Sequence, residues 1–269
     1  MSFKIVFSDI DGTLLNSQHK LLSSTIEAVR QLYNNGIIFV PVSARMPKAI
    51  APLIDDLRIA APIISYNGAL ILSADRNVLF SKKLSGQDCR SILRKIHSLW
   101  PQTIVNYYCD DDWYVEDITA APVKAEISIT GAIPLEMSFT DLLTGGILPH
   151  KLLCMCPPAV CSQMETVLSA AYEQLTIIRS SPTLLEIIDQ SISKAHAVNF
   201  FLKLCGVSAD ESIAFGDNYN DLGMLASVGT GIAMGNAPQE IKDAAAKTTA
   251  SNDDDGIYNA LQELGFLSV

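Results

Sequence analysis

Asp9 and Asp11 stand two apart directly behind the apolar run Ile5-Val6-Phe7, in the stretch Phe3-Lys4-Ile5-Val6-Phe7-Ser8-Asp9-Ile10-Asp11-Gly12-Thr13. On an extended backbone such alternate residues point to one side, and two carboxylates that close repel unless a cation or a shared proton intervenes. A divalent metal is the direct remedy. The plainer reading is turn chemistry, because Asp-Gly after a strand is an ordinary turn pair. A second acidic set, Gly216-Asp217-Asn218-Tyr219-Asn220-Asp221, follows the buried-looking run Ser212-Ile213-Ala214-Phe215 and shifts the balance toward a site. Two further groups belong to the same inventory. Ser43-Ala44-Arg45 offers a hydroxyl and backbone amides ahead of a helix, suited to an anion or to simple capping. Lys194 falls in a helix's first turn, where it opposes the dipole, so either an anion outside holds it or it is an exposed surface lysine.

The elements that must position these groups are strands ending at one edge of a sheet. Ile5-Val6-Phe7 reads as a strand buried on both faces of a parallel sheet, and ligand chemistry in open α/β sheets gathers outside the carboxyl ends of the strands. Ser23 or Ser24 is expected to cap a helix through Ile26, Val29, Arg30 and Leu32 that stops at Gly36. The next strand covers 37–42, with Pro41 interrupting its ladder. An amphipathic helix then runs through Ile50, Leu53, Ile54 and Leu57. A third strand over 62–66 leads into Asn67-Gly68-Ala69, and 70–72 with 78–80 form a hairpin. This alternation predicts the α/β class, a doubly wound and mostly parallel sheet.

The middle of the chain breaks that pattern. After Ser85 a helix through Ile92, Leu93, Ile96 and Leu99 ends at Trp100-Pro101. Strands are expected over 103–108, 113–115, 151–155 and 183–188, and helices over 121–127, 139–143 and 160–175. The mixture predicts an α+β unit, residues 84–188, inserted into a core made of 1–83 and 189–269. Tyr107, Tyr108, Trp113 and Tyr114 are either its core or its substrate-facing surface. Asp110-Asp111-Asp112 and Lys82-Lys83 are expected to be solvated charges. The first pattern then resumes. A helix from Lys194 through Val198, Phe201, Leu202 and Leu204 stops at Gly206, a strand covers 231–235, and Pro238 stands at the start of another helix. Gly229-Thr230-Gly231 precedes a strand and lacks the dinucleotide spacing. Asp217 to Gly223 has Tyr219 where a calcium loop needs an oxygen.

With 269 residues, 49% of them hydrophobic and 18% charged, the chain has the composition of a folded globular protein of one or two domains. A formal net charge of −10 with no basic patch argues against a nucleic-acid partner. No stretch approaches the roughly 18 apolar residues of a membrane span, and the N-terminal run is too short for a signal peptide, so a cytoplasmic location is expected. The six cysteines (Cys89, Cys109, Cys154, Cys156, Cys161 and Cys205) include no C-x-x-C pair and are expected to be small buried hydrophobes.

In their order, Asp9-Ile10-Asp11-Gly12-Thr13, Ser43, Lys194 and Gly216-Asp217-Asn218-Tyr219-Asn220-Asp221 resemble the four motifs of the haloacid dehalogenase superfamily of phosphatases. The long insertion resembles the C2 cap, type B, of the Cof-type subfamily IIB. Ala44 stands where the family often carries glycine, a departure of little weight where only an amide is needed. The resemblance implies Mg²⁺-dependent hydrolysis of a small phosphorylated metabolite. Asp9 would be the nucleophile, Asp11 the proton carrier, and Asp9, the Asp11 carbonyl and Asp217 the metal ligands. Ser43, the Ala44 amide and Asn220 would hold phosphoryl oxygens, with Ile10, Asn67 and Gly68 as further phosphate contacts. Lys194 would neutralise Asp9 and the phosphate, and Asp221 would brace the metal waters or Lys194. A phosphomutase of sugar phosphates is the nearest alternative, and a phospho-accepting signalling module a more distant one.

Overall fold

The computed structural model describes residues 3–267. In chain order its strands are β1 (Ile5–Asp9), β2 (Ile38–Val42), β3 (Ile63–Ser65), β4 (Leu70–Leu72), β5 (Val78–Ser81), β6 (Ile104–Cys109), β7 (Asp112–Val115), β8 (Leu135–Glu136), β9 (Lys151–Met155), β10 (Leu175–Ser181), β11 (Leu184–Asp189), β12 (Ser212–Gly216), β13 (Thr230–Ala233) and β14 (Lys247–Thr248). The helices are α1 (Ser23–Asn34), α2 (Pro47–Leu57), α3 (Gly86–Leu99), α4 (Ala121–Thr130), α5 (Phe139–Thr144), α6 (Pro158–Ala171), α7 (Lys194–Cys205), α8 (Leu222–Ala226), α9 (Gln239–Ala244) and α10 (Gly256–Glu263). The chain divides into two compact units. One comprises the chain through Arg45, Ile50–Leu79 and everything from Ser193; the other comprises Met46–Ala49 and Phe80–Ile192.

The first unit is built on an eight-stranded sheet of order β14-β13-β12-β1-β2-β3-β4-β5. The pairings from β14 to β3 are parallel, and β3 and β4 are antiparallel. This is the doubly wound α/β architecture that the strand and helix alternation predicts. Strand β1 is central because its five residues are all buried; Val6 and Phe7 find apolar partners on both edges, in β2 and β12, and Ile5 lies between Ile38 and the buried Ser212. The chain winds from β1 toward β2 and β3, then returns to build β12, β13 and β14 on the other side. The crevice beyond the carboxyl ends of β1 and β12 is therefore the switch point at which such sheets bind ligands.

Helix α7 is tied to this centre by an aromatic pair. Phe201 meets Phe7 edge to face, with ring centroids 6.1 Å apart at 87°. Such a pair adds about 1 kcal/mol to simple burial, and here it sets the depth of the helix that begins with Lys194. Ser193 caps that helix by accepting the His196 N–H at 3.1 Å, and Gly206 ends it in the left-handed region. The expected cap of α1 does not form. Leu22 holds the cap position without a side-chain bond, and the Ser24 hydroxyl instead donates to Asp255. The burial of Ala28, Val29 and Leu32 anchors this helix.

The second unit carries a six-stranded sheet of order β10-β11-β9-β6-β7-β8, antiparallel except between β7 and β8. Alternation sends Val105, Tyr107, Leu152, Cys154, Leu185 and Ile187 into a core closed by Ile92 and Ile96 of α3 and by Met164 and Leu168 of α6. Tyr107, Tyr108, Trp113 and Tyr114 are all buried, so none of these aromatics is surface. Tyr108 and Trp113 stack with centroids 6.0 Å apart.

Several elements differ from the sequence reading: β14 is not anticipated, the strand expected over 231–235 is Thr230–Ala233, and two differences fall in the second unit. The helix expected to reach residue 175 ends at Ala171, and Leu175 opens β10, a strand not anticipated. Thr176, Ile177 and Ile178 are β-branched, and pairing with β11 outweighs the helical spacing of their neighbours. The other missed strand of this unit, β8, has two exposed residues and so leaves no alternation to read. The charged runs are solvated as expected, and some of their side chains also form surface ion pairs. Lys83 pairs with Asp110 at 2.7 Å and Lys82 with Asp189 at 3.4 Å. All six cysteines are unbridged; five are buried as expected, while Cys205 is exposed. No helix of the described residues is long and apolar enough to cross a membrane.

Candidate active site

Asp9 ends β1, and its side chain is buried against Lys194, whose Nζ lies 2.5 Å from Asp9 Oδ1 and 2.6 Å from Asp221 Oδ1. Lys194 is therefore no surface residue; it is 2% exposed. Asp221 spends its other oxygen on the loop after β12, with Oδ2 accepting the N–H groups of Asp217 and Asn218 at 3.0 Å each. It thus joins the lysine to the loop that presents Asp217. Thr13 donates its hydroxyl to Asp217 Oδ1 at 2.7 Å, linking the loops that leave β1 and β12. Gly12 lets these loops approach. Its φ of +83° suits glycine, and a Cβ there would drive into the Asp217 carboxylate.

The remaining predicted residues occupy the same edge in different ways. Asp11 is not one of the three clustered acids; its carboxylate takes a two-pronged bond from Arg45, with Nε to Oδ2 at 2.8 Å and Nη2 to Oδ1 at 2.5 Å. His19 Nδ1 stands 3.8 Å from the same carboxylate. Ser43 is buried, and its Oγ accepts the Arg45 N–H at 3.1 Å; α2 begins four residues later, so Ser43 is not that helix's cap. Ser43 N–H donates to Ile64, and Ser43 O accepts from the Asn67 N–H, both at 2.9 Å. Ala44 follows it, half-buried, in the loop. Asn67 and Gly68 form a tight turn in which Gly68 abuts the Ser193 carbonyl and Ala197, at the start of α7. The Ile10 side chain is fully buried, so only its backbone faces the loop. Asn220 is exposed on the short 3-10 turn Tyr219–Asp221.

Three contributors were not assigned from sequence. Thr13 and Arg45 lie inside quoted motifs, but their partners belong to other loops. Asn236, just past β13, donates to Gly12 O at 2.8 Å. The signal that could have found Asn236 is its place behind a buried strand at the same sheet edge.

Electrostatically the pocket is short of positive charge. Burial pushes the Asp9 carboxyl up to about 8 against the pull of Lys194, with Asp221 adding to the rise. Burial likewise lifts Asp217 to about 6, against the opposing bond from Thr13. Burial alone would lower the Lys194 value, but the two carboxylates outweigh it and hold the ammonium charged. Oxygens of Asp9, Asp217 and Asp221 lie within 4.8 Å of one another, so three buried or half-buried carboxylates face a single ammonium. Hard oxygen donors with uncompensated negative charge fit a divalent cation such as Mg²⁺. Asp221 is already engaged on both oxygens, so the groups left for a cation are those of Asp9 and Asp217.

Residues 6–261 match the family model described as haloacid dehalogenase-like hydrolase. The chain belongs to the haloacid dehalogenase-like hydrolases. A Haemophilus influenzae protein provisionally named as a phosphatase is 38% identical over 264 residues, covering 98% of each chain. The crystal structure of a haloacid dehalogenase-like hydrolase from Bacteroides thetaiotaomicron shares 28% identity with a TM-score of 0.90, covering 98% of this chain and all of the other. The subclass IIB sugar phosphatase BT4131, 24% identical over 98% of this chain and 100% of its own, has the same fold at a TM-score of 0.83. Family and relatives together make this haloacid dehalogenase-like hydrolase an enzyme of the phosphatase type.

Proposed function

We propose that the protein is a Mg²⁺-dependent phosphomonoesterase acting on small phosphorylated metabolites, such as sugar phosphates or cofactor precursors, through a phosphoryl group carried on Asp9. The observation that supports this best is the junction of Asp9, Lys194, Asp217 and Asp221 beyond the carboxyl ends of adjacent parallel strands. Asp9 Oδ2, the oxygen not bonded to Lys194, attacks phosphorus as the bond to the leaving oxygen breaks. Asp11 delivers a proton to that oxygen and takes one from the water that later cleaves the aspartyl-phosphate. Phosphate esters repel nucleophiles, so positioning and charge neutralisation supply most of the acceleration. Lys194 neutralises Asp9 and one phosphoryl oxygen. Ser43, the Ala44 and Ile10 amides and Asn220 hold the others, and Asn67 and Gly68 shape the phosphate side. Asp9, Asp217 and the Asp11 carbonyl would hold Mg²⁺, which would supply further charge neutralisation. Asp221 keeps the loop and Lys194 in place.

Residues 84–188 act in this reading as a C2B cap of the Cof type, supplying specificity and no essential chemistry. Every group named above lies outside that interval. The test is phosphate release from p-nitrophenyl phosphate and from a panel of phosphorylated metabolites, each with and without Mg²⁺. Release that depends on Mg²⁺ and favours some metabolites over others is expected. No release from any substrate, or conversion to a phosphate isomer in place of free phosphate, overturns it.

A further inference from the structure

Arg45 joins the site through Asp11 alone among the four acids of the two motifs. Its guanidinium spans both Asp11 oxygens, at 2.8 and 2.5 Å, and the arginine is mostly covered while Asp11 is half exposed. A planar fork matched to a carboxylate fixes its orientation as well as its charge, which the point charge of a lysine does not. Arg45 is itself held firmly. Its carbonyl accepts the Ser65 hydroxyl at 2.5 Å and the Tyr66 N–H at 3.3 Å, its N–H donates to Ser43, and Ser65 and Tyr66 are fully buried.

The anchoring has a consequence for Asp11. The loop after β1 turns at Gly12 directly against Asp217, so an unheld Asp11 side chain stands beside a cation-hungry acid cluster. Falling into it would make Asp11 one more ligand and remove it from the leaving-group side. We propose that Arg45 is the positioning residue for Asp11: its guanidinium keeps that carboxylate outside the acid cluster and aimed at the leaving oxygen. The inference rests on the reading of Asp11 as proton carrier.

A proton carrier matters most when the leaving group is a poor one, so the two claims separate by leaving group. The values to compare are kcat/KM for an alkyl phosphate, whose alkoxide needs a proton, and for p-nitrophenyl phosphate, whose phenolate leaves without one. For Asp11→Asn the alkyl value should fall on the order of a hundredfold, and the p-nitrophenyl value far less. Arg45→Ala should show the same selectivity at roughly tenfold or more, Arg45→Lys should fall between Arg45→Ala and wild type, and the double variant should be no worse than Asp11→Asn. Thermal unfolding of each variant is followed in parallel, and Arg45→Lys carries the comparison if Arg45→Ala does not fold. Equal losses on both substrates for Asp11→Asn overturn the role of Asp11. A selective Asp11→Asn with an unselective Arg45 variant, or a double variant whose losses add, overturns the role of Arg45.

Discussion

Lys194 and Asp9 meet in a 2.5 Å ion pair across 185 residues of chain, and neither side chain is more than a tenth exposed. The bond joins the first turn of α7 to the end of β1, and the Phe7–Phe201 contact underneath holds the two elements at that distance. With Asp221 on its other side, the ammonium is the common partner of the two acidic loops.

Removing that ammonium should therefore cost stability as well as activity. Lys194→Ala leaves Asp9 and Asp221 buried without their counter-charge, a loss of about 3 kcal/mol or more by comparison with other broken buried pairs. Urea unfolding checks the magnitude. Added Mg²⁺ should raise the midpoint of the variant more than that of wild type, and a variant as stable as wild type without Mg²⁺ would contradict the ion-pair assignment.

Asp9→Asn keeps the shape of the side chain and removes the charge of the proposed nucleophile. Turnover should fall by several orders of magnitude. Because burial already lifts the Asp9 carboxyl to about 8, losing its charge should leave the thermal midpoint unchanged or higher. A variant that retains a tenth of wild-type kcat would rule out Asp9 as nucleophile.

Asp217→Ala should raise the Mg²⁺ concentration needed for half-maximal activity by more than tenfold, since even outer-shell partners carry effects of that size. The comparison is a Mg²⁺ titration of both proteins below their unfolding temperatures. An unchanged titration returns Asp217 to the role of a strand-end turn residue.

The second unit should lose stability in acid through His150. The ring is fully covered, Nδ1 accepts the Asp110 N–H at 3.0 Å, and Nε2 pairs with the Ser81 hydroxyl at 2.9 Å. Burial pushes its pKa down from 6.5 to about 4, against the opposing pull of Asp110 and with a smaller contribution from Lys83. The folded ring thus binds fewer protons than the unfolded one between those values. Its contribution is full above about 6.5 and lost as pH falls toward about 4. Both tryptophans, Trp100 and Trp113, lie in this unit, so tryptophan fluorescence follows its unfolding alone. Wild type should lose stability between pH 6.5 and 4, and His150→Gln should flatten that slope. Parallel slopes would show that other groups carry the acid response.

Much of this was legible in residue order. The run Ile5-Val6-Phe7 is too apolar to be anything but buried, so the acids behind it had to stand at a strand's carboxyl end. The same logic placed Asp217 behind Ser212–Phe215, and Gly206 marked the end of α7. The insertion was legible as a change of pattern. Its strands were less so, because β8 is two exposed residues and β10 follows a helix with no breaker between them.

What the sequence by itself determined is the inventory of chemistry: two acid pairs behind buried strands, a lysine in a helix's first turn, a hydroxyl loop, and a family whose motifs carry these groups in this order. Such features are local, set by residue type and by the spacing of a strand or a turn. Only the tertiary structure decided who meets whom. It gave Asp221 to Lys194 and to the loop amides, Thr13 to Asp217, and Asp11 to Arg45. These partnerships depend on which strands are neighbours in the sheet and how deep α7 sits, and both follow from packing contacts far apart in the chain.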